Sequence, residues 1–136
     1  MLQLRARTGR NHGFTLIELM VVVSLIVVLA TIGLMAYKDS VQRGREAVLR
    51  ENLYRMREAI DQFYVDKGKY PADLQELASS GYVRAVPVDP MTRSADTWQA
   101  IPAEPDPNNP SAEIGIYEVK SGSEQAALDG TPYSEW

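Results

Sequence analysis

The chain reads as an α+β protein: a long N-terminal spine helix, about residues 14–67, packed on a small C-terminal domain holding a short helix and a small antiparallel sheet. Three observations predict this. Phe14 to Met35 is 22 residues long with one charge, Glu18. An amphipathic stripe follows it without a proline as far as Lys69. Short strand-like runs separated by Pro/Gly/Asn-rich turns fill the rest of the chain.

A helix over Phe14–Met35 rises about 33 Å, enough to cross a hydrocarbon core, so residues 14–37 are expected to be the transmembrane half of the spine. A carboxylate inside such a segment costs about 2.5–3.5 kcal/mol at a helix centre and less near an interface, so Glu18 calls for a partner. Beyond Lys38, apolar residues fall at Leu49, Leu53, Met56, Ile60 and Phe63, at spacings of 4, 3, 4 and 3. That is one face of a helix. The other face carries charges, with Glu46/Arg50 and Glu51/Arg55 at the four-residue spacing of helical ion pairs. Gly68 is placed to end the helix, and Pro71 blocks its continuation.

The stripe on the distal half of the helix needs a cover, and residues 38–136 are expected to form one globular domain that includes this half. Asp73-Leu74-Gln75-Glu76 reads as a capping box opening a short helix that Gly81 closes. Thr97–Ile101 and Ile114–Val119 are strand candidates on either side of a Pro/Asn-rich loop, Pro102–Pro110. A two-stranded sheet is marginal alone and must pack on the helix.

Charge is graded along the chain. Residues 1–13 carry three arginines and no acid, Lys38–Lys69 eight basic and six acidic residues, and Tyr70–Trp136 three basic and eleven acidic. The positive-inside bias would hold the N-terminus in the cytoplasm and send the acidic domain across the membrane. No basic patch outside the helix supports nucleic-acid binding. With no cysteine, neither a disulfide framework nor a thiolate site is available. The lone histidine, His12, falls in the N-terminal basic segment, and no phosphate-binding glycine loop is present. These absences weaken the reading as a membrane-tethered enzyme or ligand-binding domain. An ordinary secretory signal peptide or a signal anchor is the simpler account of residues 1–37. The apolar run is too long for the first, and neither needs Gly13 before Phe14 or an acid four residues on.

Gly13-Phe14-Thr15-Leu16-Ile17-Glu18, behind Arg5, Arg7 and Arg10 and ahead of the apolar run, resembles the processing signal of the type IV pilin superfamily. The resemblance implies that residues 1–13 are a leader removed by a prepilin peptidase between Gly13 and Phe14. Phe14 would then be N-methylated, and Glu18 would meet the Phe14 amine of a neighbouring subunit during assembly. Further on, Lys69-Tyr70-Pro71, Leu74 to Leu77, Gly81-Tyr82-Val83-Arg84 and Pro87-Val88-Asp89-Pro90 resemble, in order and spacing, landmarks of the class G major pseudopilin of type II secretion. The likeness covers roughly Gly13–Trp98 and resumes over Gly115–Trp136.

What the resemblance implies is a structural subunit, not an enzyme. It would be anchored in the bacterial inner membrane and polymerised as a homo-oligomeric helical filament, the periplasmic pseudopilus. An inner-membrane assembly platform and a cytoplasmic ATPase would drive assembly, minor pseudopilins would join it, and the filament would help export folded proteins across the outer membrane. A type IV or competence pilus subunit is the alternative; the lack of cysteine favours the pseudopilin. Asp61 and Arg84 are the candidate intersubunit ion pair. The family's C-terminal calcium loop has its counterpart in Ser121-Gly122-Ser123-Glu124-Gln125 and Asp129-Gly130. Glu124-Gln125 departs from the family's Asp-Gly there, so Ser121, Glu124 and Asp129 are calcium candidates only and no cofactor is assigned. Met35-Ala36 stands where many relatives carry a helix-disturbing proline, and Val27 replaces a common glycine. This implies a more continuous helix, softened at most near Thr31-Ile32-Gly33.

Overall fold

A computed structural model describes residues Gly13–Trp136. Of the expected leader only Gly13 falls among them; Arg5, Arg7, Arg10 and His12 lie outside the described residues. The elements, in order, are helix α1 (Leu16–Lys67), helix α2 (Leu74–Ser79), strand β1 (Gln99–Pro102), strand β2 (Ile116–Lys120) and a 3₁₀ turn at Tyr133–Glu135. By internal contacts the chain forms two compact units that meet between Lys38 and Asp39, and α1 contributes to both.

In the N-terminal unit every described side chain is exposed, and this part of α1 is long and apolar enough to cross a membrane. Its hydroxyls are already satisfied within the helix. Ser24 Oγ donates to the Met20 carbonyl at 2.7 Å and Thr31 Oγ1 to that of Val27 at 2.8 Å. Neither needs water, which suits a helix meant for lipid. The helix runs unbroken through Gly33 and Met35-Ala36, as the missing proline predicts.

The second unit is organised by the distal half of α1. All five residues of the predicted stripe are buried to 2% exposure or less, and Ala59 joins them. Leu77 of α2, Trp98, Val119 of β2, Ala127 and Tyr133 complete the core. The helix ends where glycine can turn it: Gly68 has φ +70° and its amide donates to the Tyr64 carbonyl at 2.8 Å. α2 opens on the predicted capping box, with Asp73 Oδ1 accepting from the Glu76 amide at 2.7 Å. Glu76 Oε2 reaches back one residue further than the usual box, to the Ala72 amide.

β1 and β2 pair antiparallel, Gln99 with Lys120 through Pro102 with Ile116, with an irregularity between Ile101 and Pro102. Both strands begin two residues later than the sequence pattern suggests, because tertiary contacts claim the flanks. Gly115, just before β2, lies against Tyr70, where an added Cβ would come within 2.6 Å of the tyrosine backbone. Thr97, just before β1, is pressed by Gly122 and bonded to Thr92.

Candidate functional site

The local chemistry of the α1 N-terminus explains part of why Glu18 is tolerated. Thr15 is the last non-helical residue, and its carbonyl accepts the first helical bond, from the Leu19 amide at 3.1 Å. Thr15 Oγ1 accepts from the Glu18 amide at 3.2 Å, while Glu18 Oε2 accepts from the Thr15 amide at 3.4 Å. This is a reciprocal capping box that satisfies two otherwise unpaired helix-end donors. The helix dipole further favours a carboxylate in this turn. The pattern Thr-x-x-Glu was readable in the sequence, where Glu18 registered only as an acid in need of a partner. Among the described hydrogen bonds Glu18 Oε1 takes none. Phe14, four residues before Glu18, is 87% exposed, and Gly13 and Phe14 are non-helical, so the peptide bond between them lies outside the helix.

The landmarks of the second unit prove to be packing devices. Tyr70 stacks on Tyr64, with ring centroids 4.4 Å apart, and the Pro71 carbonyl accepts the Ile116 amide at 2.8 Å, tying β2 to the start of the α2 segment. Tyr82 packs edge-on against Phe63, and its hydroxyl donates to Asp66 Oδ2 at 2.8 Å, a bond that raises its pKa. The Pro87 carbonyl accepts the Trp98 indole N–H at 2.7 Å. Asp61 and Arg84 are both exposed, and neither is in an ion pair among the described residues.

Glu51 and Arg55 pair as their spacing predicts, but Glu46 and Arg50 do not. Glu46 Oε1 instead accepts the Tyr133 hydroxyl at 2.8 Å and the Leu128 amide at 2.9 Å, and Gln42 Nε2 donates to the same hydroxyl at 2.9 Å. A buried ring whose hydroxyl needs an acceptor outcompetes an exposed helical ion pair, which contributes only about 0.3–0.5 kcal/mol. Burial, first of all, raises the Tyr133 pKa. Arg50 lies over the Trp136 ring, 4.3 Å from its centroid. Arg57 clamps Glu118 and donates to the carbonyls of Val119 and Trp136.

The calcium candidates separate. Ser121 is buried, and its Oγ donates to Asp89 Oδ2 at 2.6 Å and accepts from the Ser123 amide at 3.2 Å. Asp89, fully buried, spends its other oxygen on the Met91 amide at 2.8 Å. Asp129 is exposed and closes a turn by accepting the amide and hydroxyl of Thr131, bonds that lower its pKa. Glu124 is exposed. No group of three or more His, Cys, Asp or Glu side chains able to hold a metal exists among the described residues. Ca²⁺ takes six to eight oxygens, and this donor set, turned inward or scattered, does not fit it.

Comparison with known proteins gives the family. Residues 8–34 match the model of the prokaryotic N-terminal methylation motif. The chain is 44% identical over 63 residues to the fimbrial protein EcpC of Eikenella corrodens, covering 46% of this chain and 41% of that one. It is 39% identical over 63 residues to the type IV major pilin protein PilE1 of Neisseria gonorrhoeae, covering 45% and 37%. To the type II secretion system core protein G of Klebsiella pneumoniae it is 32% identical over 100 residues, covering 60% of this chain and 69% of that one. The matches to the two pilus proteins thus span about two fifths of their length. No solved structure matches the chain.

Proposed function

The chain belongs to the family of the type II secretion system core protein G, within the type IV pilin superfamily, and on that premise we propose that it is a pseudopilin. In this reading it is a structural, non-catalytic subunit that polymerises into a periplasmic filament helping to export folded proteins. The leader stays cytoplasmic, the proximal half of α1 spans the inner membrane, and the acidic unit lies in the periplasm. The reading is carried by one observation above the others: a helix that passes without a break from an apolar, fully exposed segment into a stripe buried by a small domain, with an acid in its first turn.

Processing acts at the non-helical end. Glycine at position 13 leaves the peptidase cleft unobstructed, and hydrolysis between Gly13 and Phe14 frees an α-amine that N-methylation leaves charged. During assembly the Phe14 amine of one subunit meets Glu18 of its neighbour. The free Oε1 of the capping box is the acceptor, and the pair fixes axial register as subunits leave the bilayer. Once it is buried, removing one partner costs about 3–5 kcal/mol, enough to stall addition of a subunit. Minor pseudopilins, the assembly platform and its ATPase are the further partners. Asp61 and Arg84, both exposed, are available for the intersubunit pairing.

Glu18→Ala is expected to be cleaved normally yet to fail in filament formation. Filaments at wild-type yield would overturn the register role, and an intact Met1 on the membrane-extracted protein from cells with active peptidase would overturn the processing. The pilus reading draws on the higher identities to fimbrial proteins, but those two matches cover less of the chain than the core protein G match does. Loss of exoprotein secretion without loss of twitching or DNA uptake in a deletion strain separates the two.

A further inference from the structure

The 13 residues between β1 and β2 form no helix or strand. From Glu104 to Ile114 every residue is exposed. The loop is nevertheless shaped from within. Asp106 Oδ1 accepts the Asn108 amide at 2.8 Å, the Asp106 carbonyl accepts the Asn109 amide at 3.1 Å, and the Asn109 carbonyl accepts the Ala112 amide at 3.1 Å. It carries Glu104, Asp106 and Glu113, no basic residue, and prolines at 105, 107 and 110. Irregular loops of this length are uncommon in small domains and are usually either functional or linkers, and prolines lower the entropy lost when such a segment is captured.

A surface of matching chemistry exists on the same unit. Arg50, Leu53, Tyr54, Arg57 and Trp136 line an open groove of about 500 Å³. Tyr54 is 63% exposed. Arg57 is committed to Glu118 and two carbonyls, but Arg50 lies over the Trp136 ring and, among the described residues, is in no ion pair. The groove therefore offers aromatic faces and one uncommitted cation. Aromatic-lined grooves are the usual receptors of extended proline-rich segments, and acids between the prolines complement an arginine.

Loop and groove sit at different levels along α1. The loop's C-terminal end is held through Gly115 against Tyr70, which stacks on Tyr64. Tyr64 lies ten residues past Tyr54, about 15 Å along the helix. Copies displaced along a shared helix direction bring one copy's loop level with the next copy's groove.

We propose that the acidic proline-rich loop of one copy docks in the Tyr54/Trp136 groove of a neighbouring copy, with Glu104 paired to Arg50. This rests on the filament reading and supplies it with a contact between globular units that is independent of Glu18. The absence of cysteine makes the test direct. Full-length Ala47→Cys, exposed on α1 about one turn before Arg50, and Asn108→Cys, in the loop, are co-expressed in peptidase-positive cells, and the assembled fraction is treated with a short bismaleimide. A covalent dimer is expected from this pair and not from Ala47→Cys with Gln75→Cys. Glu104→Arg is expected to lower the assembled fraction about tenfold, with recovery on adding Arg50→Glu. Wild-type filaments accompanied by no 47–108 dimer, or Glu104→Arg assembling like wild type, would overturn the docking and leave the pseudopilus reading standing. Failure of the wild-type chain to form any filament would overturn both.

Discussion

Glu46→Ala tests the tertiary logic of the second unit most sharply. One carboxylate oxygen holds the Tyr133 hydroxyl at 2.8 Å and the Leu128 amide at 2.9 Å, joining α1 to a segment more than 80 residues away. Tyr133 is 1% exposed, so truncating Glu46 leaves its hydroxyl proton without an acceptor, while Gln42 still donates to the same oxygen. An unsatisfied buried donor costs about 1–3 kcal/mol; with the Leu128 amide near solvent and able to rehydrate, about 2 kcal/mol is expected. For a unit of roughly 100 residues that lowers Tm by about 8–10 °C. Glu46→Gln keeps the acceptor oxygen and should lose less than half as much. Arg50→Ala should not reproduce the Glu46→Ala effect, as it would if the two residues were an ion pair.

The assay is thermal unfolding of the full chain in detergent, followed by near-ultraviolet circular dichroism of the Tyr133/Trp136 pair, whose rings sit edge to face at 5.1 Å. A double-mutant cycle of Glu46→Ala with Tyr133→Phe isolates the coupling. Glu46→Ala within about 0.5 kcal/mol of wild type, or Glu46→Gln as damaging as Glu46→Ala, would refute the assignment of Glu46 as the acceptor that anchors the C-terminal segment.

Three further outcomes follow from the same geometry. Gly122→Ala would set its Cβ on the Thr97 carbonyl oxygen and should destabilise the unit by about 2 kcal/mol or more in urea unfolding. The Tyr133 phenol has its pKa raised in the folded state, so its contribution is complete below the unfolded value of about 10 and is lost as pH rises through the folded value; a tyrosinate titration should show this phenol ionising together with unfolding, and Tyr133→Phe should remove that alkaline step. EGTA should leave Tm unchanged, whereas Ser121→Ala, which strips the buried Asp89 Oδ2 of its donor, should cost about 2 kcal/mol; a chelator-induced fall in Tm would restore the metal to the C-terminal loop.

What the sequence made legible was whatever is periodic or local. The stripe Leu49 to Phe63 is a 3.6-residue pattern, and the core uses all of it; only Ala59 escaped notice, because an alanine carries too little apolar surface to mark a face. α2 announced itself through a four-residue capping signature. The strand ends shifted because their flanks are set by close approaches of distant backbone, Gly115 to Tyr70 and Gly122 to Thr97. The two decisive polar contacts, Glu46 with Tyr133 and Asp89 with Ser121, join residues 87 and 32 positions apart. No spacing rule reaches that far, and the local rule that was available assigned Glu46 to Arg50. The same holds for Ser121, named from resemblance as a calcium candidate only: no local pattern shows that its hydroxyl turns inward to the buried Asp89.

In the proposed filament Glu18 would serve both the isolated chain and its assembly. In the monomer its position, three residues into the helix, gives it a backbone donor and the positive end of the helix dipole, which lessens the cost of holding a carboxylate beside lipid. The bond it makes there is long, 3.4 Å, and occupies a single oxygen. A neutral backbone donor at that distance is a weaker partner than a charged amine. In the proposed filament the Phe14 amine of a neighbour can therefore take the free oxygen without first breaking the cap, and the helix start stays ordered while the subunit changes partners. A carboxylate placed deeper in the apolar run would lack that interim partner and would have to enter the membrane unpaired. The proposed register pair thus depends on the capping box for its position: Thr15 fixes where the helix begins, and that start places the acid about one turn from Phe14.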